Sequence, residues 1–380
     1  MQLALARSPC CAVTLGEAPA PALLEPQWRE LEARADGSFF TSWTWIGAWL
    51  RQLPPSVKPQ LLRVSSGGQT VGLALLTMRC ARRLGFLTSR RLCLHATGDA
   101  RYDNITVEYN GVLADRNMSA AVRRHMVDHL VREVDQWDEA RFDALAQAPE
   151  EWQAAKEGLH LDIVQEPSFH IRLDKVRSQP GGYLALLGQK PRYNVRRSLR
   201  ECEAFGEVSL DVARTPEQAM EFLERLKGLH AAYWNSRGLP GAFASAFDHA
   251  FHADLVRSGM PRGEIQLLHL RAGPQTIGCL YNFVHRGQVL NYQAGIDYAL
   301  PSVTSPGLAA HALAVELNAS LGHAVYDFML GDQQYKRQLS TDQVTQYSLV
   351  ARRDRLMFRV ENTLRRVRNR WREPGGRIVA

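Results

Sequence analysis

The sequence predicts a mixed α/β protein, with mixed sheets, that is built from two similar halves. The chain has 380 residues, which is more than one hydrophobic core usually organises. Strand-like and helix-like segments alternate along it, and this alternation is typical of mixed α/β units. A hairpin-like segment of the first half also recurs in the second half. Together these observations predict two domains of the same kind in tandem.

An internal repeat identifies the two halves. Gln60–Leu76 reads QLLRVSSGGQTVGLALL, and Gln266–Asn282 reads QLLHLRAGPQTIGCLYN. At an offset of 206, without gaps, seven of the 17 positions are identical. In each copy a Gly-containing turn separates two apolar runs, which predicts a β-hairpin. The second strand of each hairpin is expected to begin at Gly72 or Gly278.

The flanking segments predict the same order in both halves: helix, hairpin, strand, helix and strand. The first half has helix-like residues 39–50 and 117–137, and strand-like residues 91–95, 105–109 and the segment around Phe142. The second half has helix-like residues 215–235, 242–257 and 307–321, and strand-like residues 289–294 and 324–330. A strand-like segment and a Pro-Gly-Gly linker lie between the halves, at residues 166–173 and 178–182. This order predicts domains at residues 1–175 and 176–350.

The composition predicts a soluble cytoplasmic protein. Hydrophobic residues make up 45% of the chain, but no segment approaches the ~20 apolar residues of a membrane span. The N-terminal residues are too weakly apolar for a signal peptide. The six cysteines show neither a C-x-x-C pair nor a zinc-like spacing, which predicts reduced thiols and no metal site. Walker, G-x-G-x-x-G, H-E-x-x-H and nucleophile-elbow motifs are absent from the sequence, which argues against those enzyme classes.

The net charge of +7 lies in the last 30 residues. Residues 351–380 hold ten Arg and three acidic residues, and the rest of the chain is balanced. Apolar residues recur there at steps of three or four, at Leu356, Val360, Leu364, Val367 and Trp371. This pattern predicts a basic amphipathic helix. Such a helix packs on the body of the protein, lies on an anionic membrane surface at the inner membrane, or contacts tRNA; DNA is not an expected partner.

Residues 291–336 are the most informative segment for function. They read as a strand, a loop ending in Ser305-Pro306-Gly307, a helix, a second strand and a polar turn that contains Asp332, Tyr335 and Lys336. A helix start presents free backbone N–H groups, and these suit a phosphate. Ser305 as a cap and Pro306 in the first turn also describe an ordinary helix start without a ligand. The sequence leaves both interpretations open.

Four segments in order resemble a known family. They are GQKPRYNVRRSLRECEAFGEV (188–208), HAAYWNSRGL (230–239), the Ser-Pro-Gly helix start and YDFMLGDQQYK (326–336). The chain resembles tandem GNAT-type acyltransferases, most closely the CelD-like acetyltransferases, which are related to the Fem aminoacyltransferases. The resemblance implies two GNAT-like domains with acyl-CoA bound where two central strands of the second domain separate. An amine attacks the thioester there, and no metal takes part.

The resemblance also implies roles for residues of the second half. Tyr292 and Gln293 are expected to line the acyl end of the donor site. Ser305, Pro306 and Gly307 are expected at the pyrophosphate. A catalytic turn is implied with Tyr335 as the general acid, next to Asp332 and Lys336. Arg196 lies on a basic helix that either faces solvent, contacts the CoA phosphates or contacts tRNA.

The acceptor is expected to lie against the first half, whose counterpart of residues 291–336 lacks the Pro-Gly helix start. Candidate acceptor residues are Trp234, Arg237, Asp99, Tyr102 and Asp103, for each of which a purely structural role is the alternative. The predicted reaction is acyl transfer from acyl-CoA, such as acetyl-CoA, to an amine of a small molecule or of an envelope or polysaccharide precursor. The alternatives are a Fem-like enzyme that uses aminoacyl-tRNA and a non-catalytic binding protein. The chain is expected to be a monomer or a dimer.

Overall fold

The computed structural model describes residues 11–83, 87–301, 303–361 and 363. The strands are β1 (Cys11–Glu17), β2 (Gln60–Ser66), β3 (Gln69–Arg83), β4 (Leu87–Leu94), β5 (Leu113–Ala114), β6 (Glu139–Leu145), β7 (Leu159–Arg172), β8 (Val208–Val212), β9 (Ile265–Ala272), β10 (Gln275–His285), β11 (Gln288–Ile296), β12 (Val325–Leu330) and β13 (Asp342–Arg353). The helices are α1 (Pro21–Arg34), α2 (Trp43–Gln52), α3 (Ser119–Arg132), α4 (Glu150–Ala154), α5 (Leu173–Ser178), α6 (Gly182–Leu186), α7 (Gln189–Glu203), α8 (Pro216–Asn235), α9 (Ala246–Gly259), α10 (Pro306–Ser320) and α11 (Gln334–Leu339).

The described strands form one mixed sheet in the order β1-β2-β3-β4-β6-β13-β7-β12-β11-β10-β9-β8, with β5 on β3. From one edge, β1-β2-β3-β4-β6 are the strands of the first half, and from the other edge β8-β9-β10-β11-β12 are the corresponding strands of the second half. In the middle, the last strand of each half lies next to the other half. β7 of the first half pairs with β12, and β13 of the second half pairs with β6. β7 and β13 also pair with each other, from His170 opposite Asp342 to Leu159 opposite Arg353. The predicted mixed α/β class with two similar halves is therefore confirmed, whereas the boundaries at residues 175 and 350 stay predictions.

Both predicted hairpins are present, but their second strands begin at Gln69 and Gln275, three residues before Gly72 and Gly278. In each hairpin a register shift, a β-bulge, directly precedes this glycine. A Cβ at Gly278 would lie 2.7 Å from the Ile296 side chain, and one at Gly72 would collide with Val122. The glycine therefore recurs in both halves because the strand passes close to its neighbour after the bulge.

The two halves share one aromatic core. Phe39 of the first half stacks on Phe283 of β10 with ring centroids 4.2 Å apart. Trp45 of α2 contacts Phe251 of α9 at 4.8 Å. Such buried rings stabilise the fold by about 1.5–3 kcal/mol each through the apolar area that they remove from water. The relative position of the halves is therefore set by packing as well as by the sheet.

Residues 105–109 are not a strand, in contrast to the sequence prediction. They belong to a loop of residues 95–112, hereafter the crossing loop, that runs between the two halves. Ile105 accepts a hydrogen bond from the Tyr292 hydroxyl at 2.5 Å, and the Tyr109 N–H donates to Gln346 at 2.8 Å. The apolar alternation of this segment reflects burial between the halves, because its backbone groups bond to side chains instead of to a strand.

In the described part of the C-terminal segment, the residues of the predicted apolar stripe are exposed instead of buried. Leu356 and Val360 are 76% and 38% exposed, whereas Phe358 is buried with the Arg83 guanidinium 4.9 Å from its ring centroid. Residues 364–380, with the other stripe positions, lie outside the described residues. The partners predicted for this segment stay predictions. Of the helices that the structure describes, none has the length and apolar character needed to cross a bilayer.

Candidate functional site

The central strands of the second half separate at the predicted donor site. β11 pairs in parallel with β12 only from Gln288 to Leu290, opposite Val325–Asp327. Beyond this point β11 continues along β10, with Gln293 opposite Tyr281 and Asn291 opposite Asn282, so Tyr292 forms a β-bulge. Bulges next to active sites redirect backbone groups and side chains. The gap therefore presents irregular backbone of β11 on the side that β12 has left.

The corresponding gap of the first half is closed by the chain itself. β4 pairs with β6 only at Arg91–Cys93, and Asn110 of the crossing loop bridges the gap beyond. Its backbone N–H donates to Ala144 at 2.8 Å, and its side-chain amide donates to Leu94 at 3.1 Å and Asp143 at 3.3 Å. Within the described ranges, no such bridge is present between β11 and β12. The two gaps are thus similar in origin, but the first is filled.

One wall of the open gap is the N-terminal turn of α10. Ser305 makes no capping bond with its side chain, and its carbonyl accepts from Ser198 of α7 at 2.8 Å. Pro306 is the first helical residue, and a Cβ at Gly307 would lie 3.7 Å from both Ile296 and the Tyr298 hydroxyl. Gly307 therefore faces the end of β11, next to a helix start whose backbone N–H groups suit a phosphate.

The predicted Arg196 lies away from this turn. It lines an open surface groove along α7 together with Tyr193, Arg192 and Arg200. Its neighbour Arg197 instead reaches Thr304 at 2.9 Å, directly before α10. The sequence left open whether this basic helix contacts the donor. It did not distinguish adjacent arginines, because the direction in which each faces depends on how α7 packs.

Tyr335 forms the opposite wall. Its ring stacks on His311 of α10, with centroids 5.6 Å apart and an interplanar angle of 15°. Burial raises the pKa of Tyr335, and the neighbouring Tyr298 and Tyr233 raise it further. The phenol therefore keeps its proton at neutral pH, as a proton donor to a leaving group requires. Tyr298 also contacts Tyr233, whose ring lies 3.7 Å from the Arg237 guanidinium, so the predicted Tyr335, Gly307 and Arg237 lie in one region.

Asp332 and Lys336 do not join Tyr335. Asp332 is exposed and forms an ion pair with Arg337. Lys336 points back to the end of β12, where its ammonium donates to the carbonyl oxygens of Leu330 at 2.6 Å and Met329 at 3.2 Å. Burial lowers the pKa of Lys336, and nearby carboxylates counteract this effect. Lys336 therefore holds the end of β12 in place.

Glu108 of the crossing loop is a buried carboxyl that sequence reasoning missed. It accepts a hydrogen bond from the Leu330 N–H at 2.6 Å, on the same β12 end that Lys336 holds. Burial raises the pKa of Glu108 to about 7, although the Leu330 N–H and Lys336 act in the opposite direction. Met329, which directly precedes Leu330, has a left-handed φ of +65°. Backbone strain and a carboxyl that titrates near neutrality are features that recur at catalytic sites.

Asp327 extends this polar group. It is the last residue of β12 that pairs with β11, and its carboxyl contacts the Tyr109 hydroxyl at 2.5 Å and accepts from Ser168 at 3.1 Å. Burial raises the pKa of Asp327. Tyr109 comes from the first half and Ser168 from the exchanged strand β7. The end of the β11–β12 pairing is therefore surrounded by groups from both halves.

The region of β11 around Tyr292 is closely packed. Tyr292 is only 9% exposed, and its ring lies 4.7 Å from that of Phe283. Gln293 is half-buried beside it. His230 of α8 connects β11 to the loop before α9, because its Nε2 accepts from the Ala242 N–H at 3.0 Å and its Nδ1 donates to the Ala294 carbonyl at 3.3 Å. Trp234, half-buried, contacts His230 with ring centroids 5.9 Å apart.

A cluster of buried polar atoms lies behind Tyr292. Asp248 Oδ1, both ring nitrogens of His252 and the Tyr281 hydroxyl have no hydrogen-bond partner among the described residues. The His252 ring lies 5.6 Å from Tyr281 and 5.5 Å from Tyr292. Buried polar atoms without partners are costly and mark places where water or a ligand binds. A single sequence does not reveal such a cluster, because it arises where α9 meets β10 and β11.

The remaining acceptor candidates are engaged within the crossing loop. The Arg101 guanidinium holds the pKa of Asp99 well below its usual range, and Arg79 pairs with the same carboxylate at 2.5 Å. Asp103 accepts from the N–H and hydroxyl of Thr97 at 2.7 and 2.8 Å. Tyr102 contacts Phe247 of α9 edge-on at 5.3 Å. These residues shape the loop and attach it to the second half.

Comparison with known proteins agrees with this geometry. Residues 189–337 match the sequence model of the acetyltransferase (GNAT) domain. A search of curated proteins finds no significant match. The fold of the whole chain is similar to three solved structures. FemX has 10% identity and a TM-score of 0.55, with 89% of this chain and 96% of that chain covered.

Two further solved structures have a similar fold over the whole chain. L-PGS from Bacillus licheniformis has 14% identity and a TM-score of 0.53, with 93% of this chain and 98% of that chain covered. The C-terminal domain of a putative lysylphosphatidylglycerol synthetase from Agrobacterium fabrum has 11% identity and a TM-score of 0.53, with coverages of 92% and 96%. At these identities the similarity establishes the fold. Residues 189–337 therefore resemble the acetyltransferase (GNAT) domain, and they lie in a chain whose fold is similar to those of FemX and L-PGS.

Proposed function

We propose that the chain transfers an acyl group from acyl-CoA to an amine, and that the reaction takes place in the open gap between β11 and β12. One observation supports this assignment above all. Two equivalent gaps exist, and Asn110 bridges the first, whereas no such bridge crosses the second, at the Tyr292 bulge, among the described residues. The proposal places the acyl donor in the second half and the acceptor against the crossing loop.

The chemistry needs few side chains. The amine nitrogen attacks the thioester carbonyl carbon, backbone N–H groups of β11 stabilise the oxyanion, and the carbon–sulfur bond then breaks. The Glu108 carboxylate accepts the proton that the amine loses. Tyr335 donates a proton to the departing thiolate. Both groups suit their roles, since burial places the pKa of Glu108 at about 7 and keeps Tyr335 protonated.

A Fem-like transfer from aminoacyl-tRNA is the second candidate. The whole-chain similarity to FemX and the arginine-lined groove on α7 favour it. The printed name of the Agrobacterium neighbour also suggests a lipid acceptor, besides an amine on a small molecule or on an envelope or polysaccharide precursor. A cytoplasmic enzyme at the inner membrane surface would meet each of these acceptors.

Calorimetric titration with acetyl-CoA tests the donor. Saturable binding is expected, and Gly307→Glu is expected to weaken it at least about tenfold, because a carboxylate beside the helix start repels the phosphates and fills the gap. Gly228→Glu is the matched control, since Gly228 lies exposed within α8 with no atom near its added Cβ. Absence of acetyl-CoA binding together with salt-sensitive retention of aminoacyl-tRNA would replace the first candidate by the second. Absence of both would leave a non-catalytic binding protein.

Replacement of Tyr335 by Phe tests the proton donor. We expect kcat to fall about 10- to 100-fold while the dissociation constant of acetyl-CoA stays within twofold, because the ring remains stacked on His311 and only the hydroxyl is lost. Tyr193→Phe, on the exposed face of α7, is the control and should leave kcat unchanged. Thiol release measured in steady state gives kcat. An unchanged kcat in Tyr335→Phe would remove Tyr335 from the mechanism.

A further inference from the structure

A second cavity lies in the first half, on the crossing-loop side of Asn110. It has a volume of about 460 Å³ and is separate from the gap between β11 and β12. Its wall includes His95, Asn110, Arg91, Arg141, Asp103 and Asp143. The crossing loop forms much of its mouth through Asn104–Val107. The proposed acyl transfer uses neither His95 nor this cavity.

The protonation state of His95 follows from its neighbour. The Asn110 amide donates to the carbonyls of Leu94 and Asp143, so its side-chain oxygen must face the other way. That oxygen accepts from the Gly111 N–H at 2.8 Å and lies 3.0 Å from His95 Nδ1. His95 Nδ1 therefore carries the proton and donates it to Asn110. Nε2 is left with a lone pair that can accept a hydrogen bond.

His95 Nε2 has no such donor in the part of the chain that the structure describes. The side chain is 1% exposed, and burial lowers the pKa of His95 to about 4, so the ring is neutral at physiological pH. A buried acceptor without a partner costs free energy unless a donor reaches it. His95 also has a left-handed φ of +50°, an uncommon conformation for a non-glycine residue.

The charges of the cavity wall favour a neutral ligand. Arg91 is paired with Glu139 at 2.7 Å, and Arg141 with Asp143 at 2.8 Å. The wall also holds two aspartates, Asp103 and Asp143, against these two arginines, so it offers donors and acceptors without excess positive charge. An anion such as phosphate would gain little there, whereas a molecule with several hydroxyl groups can use both kinds of partner.

We propose that this cavity is a binding site for a neutral, hydroxyl-bearing ligand such as a sugar, one hydroxyl of which donates to His95 Nε2. The site recognises the ligand at the deep end through the His95–Asn110 pair and at the mouth through the charged pairs. The binding itself does not depend on whether the chain transfers acyl groups.

The test is a titration of the full chain, labelled with ¹⁵N-histidine, with glucose, N-acetylglucosamine and myo-inositol, followed by NMR and calorimetry. Without ligand, one histidine that is absent from the spectrum of His95→Gln should show the Nδ1–H tautomer. At least one of the three probes should bind saturably and shift its Nε2 resonance. His95→Phe should weaken that binding about tenfold, the loss expected for one hydrogen bond.

Ala100→Trp gives a variant that does not touch His95. Ala100 lines the mouth and is exposed, so an indole there should block binding without affecting folding or the His95 resonance of the free protein. Inorganic phosphate is the comparison ligand. The proposal is overturned if no probe moves the His95 resonance, if phosphate binds in preference to the sugars, or if Ala100→Trp binds them as well as the unaltered protein. All of these experiments measure ligand binding. Their results therefore do not depend on whether the chain transfers acyl groups.

Discussion

Replacement of Glu108 by Gln is expected to lower kcat about 10²- to 10⁴-fold, the usual contribution of a general base. The amide keeps the size of the side chain and can still meet the Leu330 N–H, so acetyl-CoA binding should be retained. In the unaltered protein kcat/KM should rise with pH and level off above about 7, where the carboxyl has lost its proton. The variant should lack this rise.

The control for Glu108→Gln is Glu157→Gln, at an exposed position that lies away from the gap. Rates of thiol release from acetyl-CoA across pH 5–9 give both profiles. If the variant keeps the ascending limb, another group accepts the proton, and Asp327, the nearest buried carboxyl of the same polar group, would be examined next.

Glu108→Gln should also stabilise the protein at alkaline pH. The folded-state pKa of Glu108, about 7, lies above the ordinary value of 4.5, so the folded state holds the proton more tightly than the unfolded state. The stability that the protonated Glu108 gives to the folded state is fully present below pH 4.5 and is lost as pH rises through about 7. At pH 8 the Gln variant avoids burying a charge and should unfold with a free energy on the order of 1–3 kcal/mol higher. Urea unfolding at pH 5 and pH 8 measures this difference, and equal stabilities at pH 8 would contradict it.

Removal of the Glu139 carboxylate should produce the largest loss of stability. Glu139, on β6, is 1% exposed and receives Arg83 of β3, Arg91 of β4 at 2.7 Å and Arg352 of β13 at 2.9 Å. Burial alone would raise the pKa of Glu139, but Arg83 and Arg91 lower it below its ordinary value. Glu139→Ala leaves several partly buried cations without this partner and should cost about 3–5 kcal/mol of unfolding free energy.

Asp162→Ala is the matched control for Glu139→Ala. Asp162 pairs with the same Arg352 but is about half exposed, so its removal should cost less than about 1 kcal/mol. Urea unfolding at pH 7 gives both values. A loss under 1 kcal/mol for Glu139→Ala would show that the cluster adds no net stability to the contact between β6 and β13.

The sequence predicted those features of the fold that depend on local pattern. The repeated Gly after each hairpin turn lies in β3 and β10, and the strand–helix order of residues 289–330 corresponds to β11, α10 and β12. Strand exchange was not predictable, because the apolar pattern of β7 and β13 is satisfied by any neighbour in the sheet. The role of Glu108 also depends on packing, since only the meeting of the two halves buries it. The predicted polar turn is only partly a turn, because Tyr335 and Lys336 lie in α11. Its side chains diverge, since Lys336 turns back to β12.

The exchange of β7 and β13 has a consequence for synthesis on the ribosome. β6 is complete once residue 145 is made, and β4 pairs with one of its edges. Its neighbour on the other edge, β13, begins only at Asp342. Until then the nascent first half has an unpaired strand edge, which is a surface prone to aggregation. A chain that stops before Asp342 would lose a strand that both halves share. The two halves should therefore reach their native state in one late, cooperative step and resist separate expression.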